Sequence, residues 1–220
     1  MGYYNIITFI WMMVLFVYSR KLLKIDPKIR ERFLKGQILL VFLYNIAMLF
    51  VFPAKIPIEL STTSYFVVPI IVLFNIRYLK SWSVYTSIIM GFVYFTGMIL
   101  MGQTLYGHFP PYSVLTSLFN HGTLMAYAYI TLHTTKFYKK ERYTIWIGII
   151  VSASWALLMR PFITLKIRIF IYEVLDGEMA RYFFPDNLRL SLIIYYVLFV
   201  ITLYLSSNVV HLLSNRIYKD

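Results

Sequence analysis

A carboxylate and a row of hydroxyls sit together at Glu59, Ser61, Thr62 and Thr63, inside a stretch, 56–64, that opens an apolar run continuing to Ile76. A second polar pair, Asn120 and His121, interrupts the apolar run 114–132. Polar and ionisable groups are costly in membrane helices, and their presence there marks a function by default. The chemistry open to these residue types is that of a hydroxyl nucleophile and an imidazole base. A serine or threonine hydroxyl is a weak nucleophile until a base within hydrogen-bond reach takes its proton. The imidazole in turn needs an orienting partner on its other nitrogen. On this reading Ser61 is the nucleophile with Thr62 as substitute, His121 is the base and Glu59 orients it. Asn45, Thr63 and Asn120 complete the lining of one pocket. A regular helix puts Glu59 on one face with Thr62 and Thr63, and Ser61 on another with Tyr65. An irregular first turn at Pro57 relaxes that constraint.

The same residues have a plainer use. Serine and threonine in membrane helices often bond back to carbonyls of their own helix or to a neighbour, and a lone histidine can hydrogen-bond across a bundle. The protein is then a non-catalytic membrane subunit or scaffold that binds a lipid or a partner protein in a transport or envelope-assembly complex. His108, His133 and His211 fall in a loop or near helix ends, with no carboxylate pairing of the metal-ligand kind. There is no phosphate loop, dinucleotide fingerprint or nucleophile elbow, so neither a metal nor another cofactor is expected. The absence of cysteine removes disulfides and thiolate chemistry.

The elements that must position these groups follow from composition. The chain is 60% hydrophobic and 19% aromatic, with a mean hydropathy of +0.70; soluble domains average about 45–50% apolar residues. The excess lies in long uncharged runs, which predicts one all-α membrane domain over 1–220, with helices at about 4–18, 37–52, 56–76, 82–101, 113–133, 143–159 and 190–213. A net charge of +12 would suggest nucleic acid in a soluble protein. Here the basic residues flank apolar runs, so the expected partners are membrane lipids, with a membrane-protein partner under the scaffold reading, and no nucleic acid.

The charges also predict an orientation in the cell membrane. With the N-terminus outside and the C-terminus cytoplasmic, 15 of the 21 lysines and arginines fall inside: seven in 20–35, then Arg77 and Lys80, then Lys136, Lys139, Lys140 and Arg142, then Arg216 and Lys219. The stretch 20–35 reads as a basic loop, solvated or lying as an amphipathic helix on the inner surface, and 165–175 as a short helix at the outer interface. Ser61 and His121 then lie about 7 and 12 Å below the outer starts of their helices. Asn45 falls at a similar level, giving an outward-facing pocket open to a lipid.

The segment 56–64 resembles the "LPLHLCS" motif of the YwaF-like bacterial integral membrane proteins, and Phe119-Asn120-His121-Gly122 resembles their "sHG" motif. The spacing of the two and the Arg77 to Lys80 turn fit as well, so the resemblance covers roughly 37–160. Eukaryotic relatives in that family include a transmembrane acyltransferase that remodels ether phospholipids. More distant ones are the androgen-induced, threonine-dependent hydrolases of fatty acid esters of hydroxy fatty acids. The resemblance therefore implies lipid acyl transfer or acyl-ester hydrolysis. The chain departs from the pattern where it matters: Glu59 stands at the motif histidine, Ser61 at the motif cysteine, and the family's "NYM" motif is absent near 143–159. His121 matches.

Overall fold

Aspartate, asparagine and proline set the helix ends. The computed structural model describes residues 2–51, 57, 59–107, 109–162, 172, 174, 176, 177, 180 and 187–218. Among them every regular element is helical. The α-helices are α1 (Tyr3–Leu23), α2 (Pro27–Val51), α3 (Leu60–Leu73), α4 (Lys80–Tyr106), α5 (Pro111–Thr134), α6 (Arg142–Met159) and α7 (Leu188–Ile217), with short 3-10 turns before α4 and α6 and after α6. The all-α, seven-helix reading therefore holds, and five of the seven, α1, α2, α4, α6 and α7, lie in segments long and apolar enough to cross a membrane.

Two boundaries differ from expectation. The basic stretch 20–35 is not a loop: α1 runs through Leu23, a short turn follows, and α2 starts at Pro27. Asp26 Oδ1 accepts from the backbone N–H groups of Lys28 and Ile29 at 2.9 and 3.2 Å, an N-cap followed by a proline at the first helical position. The charges of 28–35 lower the local hydropathy without interrupting the helix. Conversely, α3 is shorter than its apolar run, 56–76. Glu59 is extended at its N-cap. At the far end Asn75 takes a left-handed φ of 51°, while Ile76 N–H bonds to Ile71 O and Asn75 N–H to Val72 O. This is the paired-bond closure of a Schellman motif, with asparagine where glycine is commonest. The 14 residues of α3 span about 21 Å, short of a hydrocarbon core of about 30 Å. The surface helix expected over 165–175 lies outside the described residues, apart from Tyr172 and Val174.

The innermost helix is α5. It packs against α1, α2, α4 and α7, and thirteen of its residues are buried. Its polar positions are shielded from lipid by the other helices, which explains why it is less apolar than α1, α4 and α7. One cluster of buried side chains joins α2, α3, α4 and α5 around Ile38, Val68, Tyr85 and Leu124. A second joins α1, α4 and α5 around Tyr4, Phe95, Met98 and Leu118.

At one end of the bundle, polar contacts tie the turns together. Arg77 pairs with Glu141 at 2.9 Å and donates to Lys136 O at 3.1 Å. Ser81 Oγ donates to Glu141 O, and Phe137 N–H donates to Ser214 Oγ of α7. The α4–α5 turn lies at the opposite end, because α5 leads from one turn to the other. If the basic end is cytoplasmic, a cysteine replacing the exposed Lys139 should resist an impermeant maleimide on intact cells and one replacing Tyr112 should react. The reverse labelling would invert the orientation.

Candidate functional site

His121 is the fulcrum of the polar interior. It lies about 15 Å along α5, a helix about 36 Å long, and so near mid-depth of the bundle. It is 7% exposed. Its ring stacks on Tyr94 of α4, centroids 3.9 Å apart and planes at 13°, and meets Tyr65 of α3 edge-on at 5.4 Å and 73°. Among the described residues, Nδ1 of His121 has no hydrogen-bond partner, nor has the buried Oδ1 of Asn120. Adjacent residues on a helix point in different directions, so these are two separate unmet groups.

The next residue explains how α5 is held there. A Cβ on Gly122 would come within 2.7 Å of Leu15 Cδ1 and 2.9 Å of Trp11 Nε1. That close seat lets the Trp11 indole donate to Leu118 O at 3.2 Å. The sequence His121-Gly122 therefore combines a functional group with the small residue that docks α1 behind it.

The hydroxyl row of α3 divides in two. Thr62 Oγ1 donates to Glu59 O at 2.9 Å, Thr63 Oγ1 to Pro57 O at 3.2 Å and Ser64 Oγ to Leu60 O at 2.6 Å. These three are back-bonded to their own chain, the helix-internal use anticipated above. Ser61, half-buried, makes no such bond among the described residues. It shares a helix face with Tyr65, one turn on, and Tyr65 is the residue that touches His121. Thr62 and Thr63 belong to the other face. Glu59 sits at the mouth of α3 as its extended N-cap residue. Trp155 of α6 holds this mouth by donating to Pro57 O at 2.8 Å.

Of the predicted constellation, then, no member is hydrogen-bonded to His121 among the described residues. Asn45 donates to Val41 O of its own helix at 2.8 Å. The groups placed on His121 are instead two tyrosines, which sequence reasoning missed. Tyr65 was legible as the i+4 neighbour of Ser61. For Tyr94 no local signal exists, because it reaches His121 only through the packing of α4 on α5.

Sequence reasoning also passed over the start of α4, where every residue from Ser81 to Ser87 is buried. Its polar side chains knit the bundle. Ser83 and Tyr127 share a hydrogen bond of 2.8 Å, and Tyr85 shares one of 2.9 Å with Ser206 of α7. The remaining histidines near helix ends are committed to backbone: His133 Nδ1 lies 2.8 Å from Tyr129 O and His211 Nδ1 3.1 Å from Phe137 O. His108 lies outside the described residues.

What the arrangement can do chemically is bounded by these contacts. The imidazole has one face stacked on the Tyr94 ring and a T-shaped contact with the Tyr65 ring. Its Nδ1, without a partner among the described residues, can accept or donate one hydrogen bond. No protein-family model, curated protein or solved structure matches the chain.

Proposed function

We propose that this chain is a multi-pass protein of the cell membrane that binds a lipid through its intramembrane polar site, with His121 supplying a hydrogen bond to the polar part of the ligand and no covalent chemistry taking place. The observation that carries this reading is the unmet Nδ1 of His121, buried at mid-depth and walled by Tyr65 and Tyr94. Buried polar side-chain atoms almost always have partners, and one without calls for an explanation such as a ligand or an ordered water. The back-bonding of Thr62 and Thr63 supports binding over catalysis, because a hydroxyl that donates to a carbonyl is not donating to a base.

A second reading, acyl transfer or acyl-ester hydrolysis with Ser61 as nucleophile and His121 as base, is favoured by one observation. Ser61 alone of the four hydroxyls from 61 to 64 is not back-bonded, and it lies on the face of α3 that meets His121. In it Glu59 has no part as orienter unless the first turn of α3 rearranges.

Intact-mass spectrometry after incubation with a fluorophosphonate and with phospholipid separates the two. The expected result is an unmodified protein and unchanged lipids. An adduct that Ser61→Ala abolishes and Thr62→Ala leaves in place would replace the binding reading with acyl transfer. There, loss of the general base in His121→Ala should cost on the order of 10²- to 10⁴-fold in turnover.

A further inference from the structure

At the basic end of the bundle four helices leave a gap. The first turns of α2, the exit of α3, the first residue of α4 and the last turns of α5 enclose a cavity of about 210 Å³. It is smaller than the roughly 300–1,000 Å³ of sites that take a drug-sized ligand whole. It thus has room for a headgroup and none for acyl chains. Arg30, Lys35 and Lys80 line it with a single carboxylate, Glu31, so two positive charges are in excess.

The three cations are not equivalent. Lys35 Nζ pairs with Glu31 at 2.8 Å. Arg30 Nη1 donates to Leu23 O at 3.1 Å and so closes the C-terminus of α1. Lys80, half-buried, makes neither an ion pair nor a side-chain hydrogen bond among the described residues. The charges acting on it are Arg77, Glu31 and Lys35, two of them of its own sign. Lys80 also opens α4, where the helix dipole is positive and disfavours a cation. An unpaired ammonium held at a helix N-terminus, beside two further cations and partly out of water, is a poor arrangement for the empty protein and a good one for a bound anion. Asn75, at the left-handed residue that ends α3, lines the same cavity, its amide making no side-chain hydrogen bond among the described residues.

We infer that this corner holds the phosphate of an anionic membrane phospholipid, with Lys80 as its principal partner and Arg30, Lys35 and Asn75 around it. The cavity is formed by helix ends, the level at which headgroups lie, and basic pockets between membrane helices suit such headgroups. This site is separate from that of His121, which lies near mid-depth.

Native mass spectrometry of the full-length protein, offered equal phosphatidylglycerol and phosphatidylcholine, tests it. The wild type should retain phosphatidylglycerol in preference. Lys80→Gln should reduce that preference about fivefold, the effect of one basic group beside anionic lipid. Lys80→Arg should preserve it, as should Lys136→Gln, which removes an exposed lysine outside the cavity. Millimolar inorganic phosphate should leave the retained phosphatidylglycerol in place. Equal losses in Lys80→Gln and Lys136→Gln would reduce the effect to general surface charge and overturn the site. No preference in the wild type would do the same. Displacement of the lipid by inorganic phosphate would assign the corner to a soluble anion and overturn the lipid.

Discussion

Gly148→Ala should destabilise the protein by about 1–3 kcal/mol, the usual cost of forcing an extra carbon into a packed interior. A Cβ built at Gly148 on α6 runs into the Cδ1 and Nε1 atoms of Trp82 on α4. Trp82 is 3% exposed, so its ring cannot swing into open space. The sign of the effect is the informative part. In a helix interior glycine is worse than alanine by roughly 0.5–1 kcal/mol. Gly36 of α2 and Gly97 of α4 have no atom within 4 Å of an added Cβ. Gly36→Ala and Gly97→Ala should therefore raise thermal stability in the same detergent in which Gly148→Ala lowers it. Should all three shift stability the same way, α6 does not lie against α4 as described.

The fold was legible where hydrophobicity alone decides it. Long apolar runs ending in Arg77, Lys136 or Arg216 mark the spans, because a bilayer tolerates only helices with their charges at the ends. It was less legible where local chemistry overrides the apolar count. The start of α2 is written in Asp26-Pro27, an N-cap and a helix-compatible proline, but the charges after it resemble a loop. The end of α3 is written in Asn75, whose left-handed φ stops the helix while the chain stays apolar to Ile76. The site was legible in one residue. His121 stands out in any reading as the ionisable group in an apolar run. Its neighbours do not stand out, since tyrosines are abundant in this chain and nothing local distinguishes Tyr94 from the rest. Spacing on α3 puts Ser61 on a face with Tyr65 and Thr62 on another, while Glu59 lies before the helix as its extended N-cap residue. No feature of the sequence says that Thr62 and Thr63 turn their hydroxyls back to Glu59 O and Pro57 O.

The remaining large effect concerns the ring of His121 and its nitrogen, which two substitutions can separate. His121→Ala removes both. It deletes a stacked contact with Tyr94 and an edge contact with Tyr65, each worth about 0.5–1.5 kcal/mol beyond burial, and leaves a hole where three helices meet. A loss of about 2–4 kcal/mol is expected, in the range of other large-to-small core changes. His121→Phe keeps an aromatic ring in the same place and removes both ring nitrogens, the unmet Nδ1 among them. An unsatisfied buried polar atom costs about 1–3 kcal/mol, so in the absence of ligand His121→Phe should be as stable as the wild type or more so. Lipid retention should behave in the opposite manner: lost in His121→Phe and His121→Ala alike, since both lack the hydrogen-bonding edge. Thermal unfolding in detergent, with and without added phospholipid, reads both quantities in one experiment. Lipid should raise the unfolding temperature of the wild type and leave that of His121→Phe unchanged. If His121→Phe proves as unstable as His121→Ala without lipid, Nδ1 is satisfied in the native protein and the histidine is a brace between α3, α4 and α5. If His121→Phe is stable and still gains from lipid as the wild type does, the ligand lies elsewhere in the bundle. Only a variant that is stable yet indifferent to lipid leaves His121 as the group that meets the ligand.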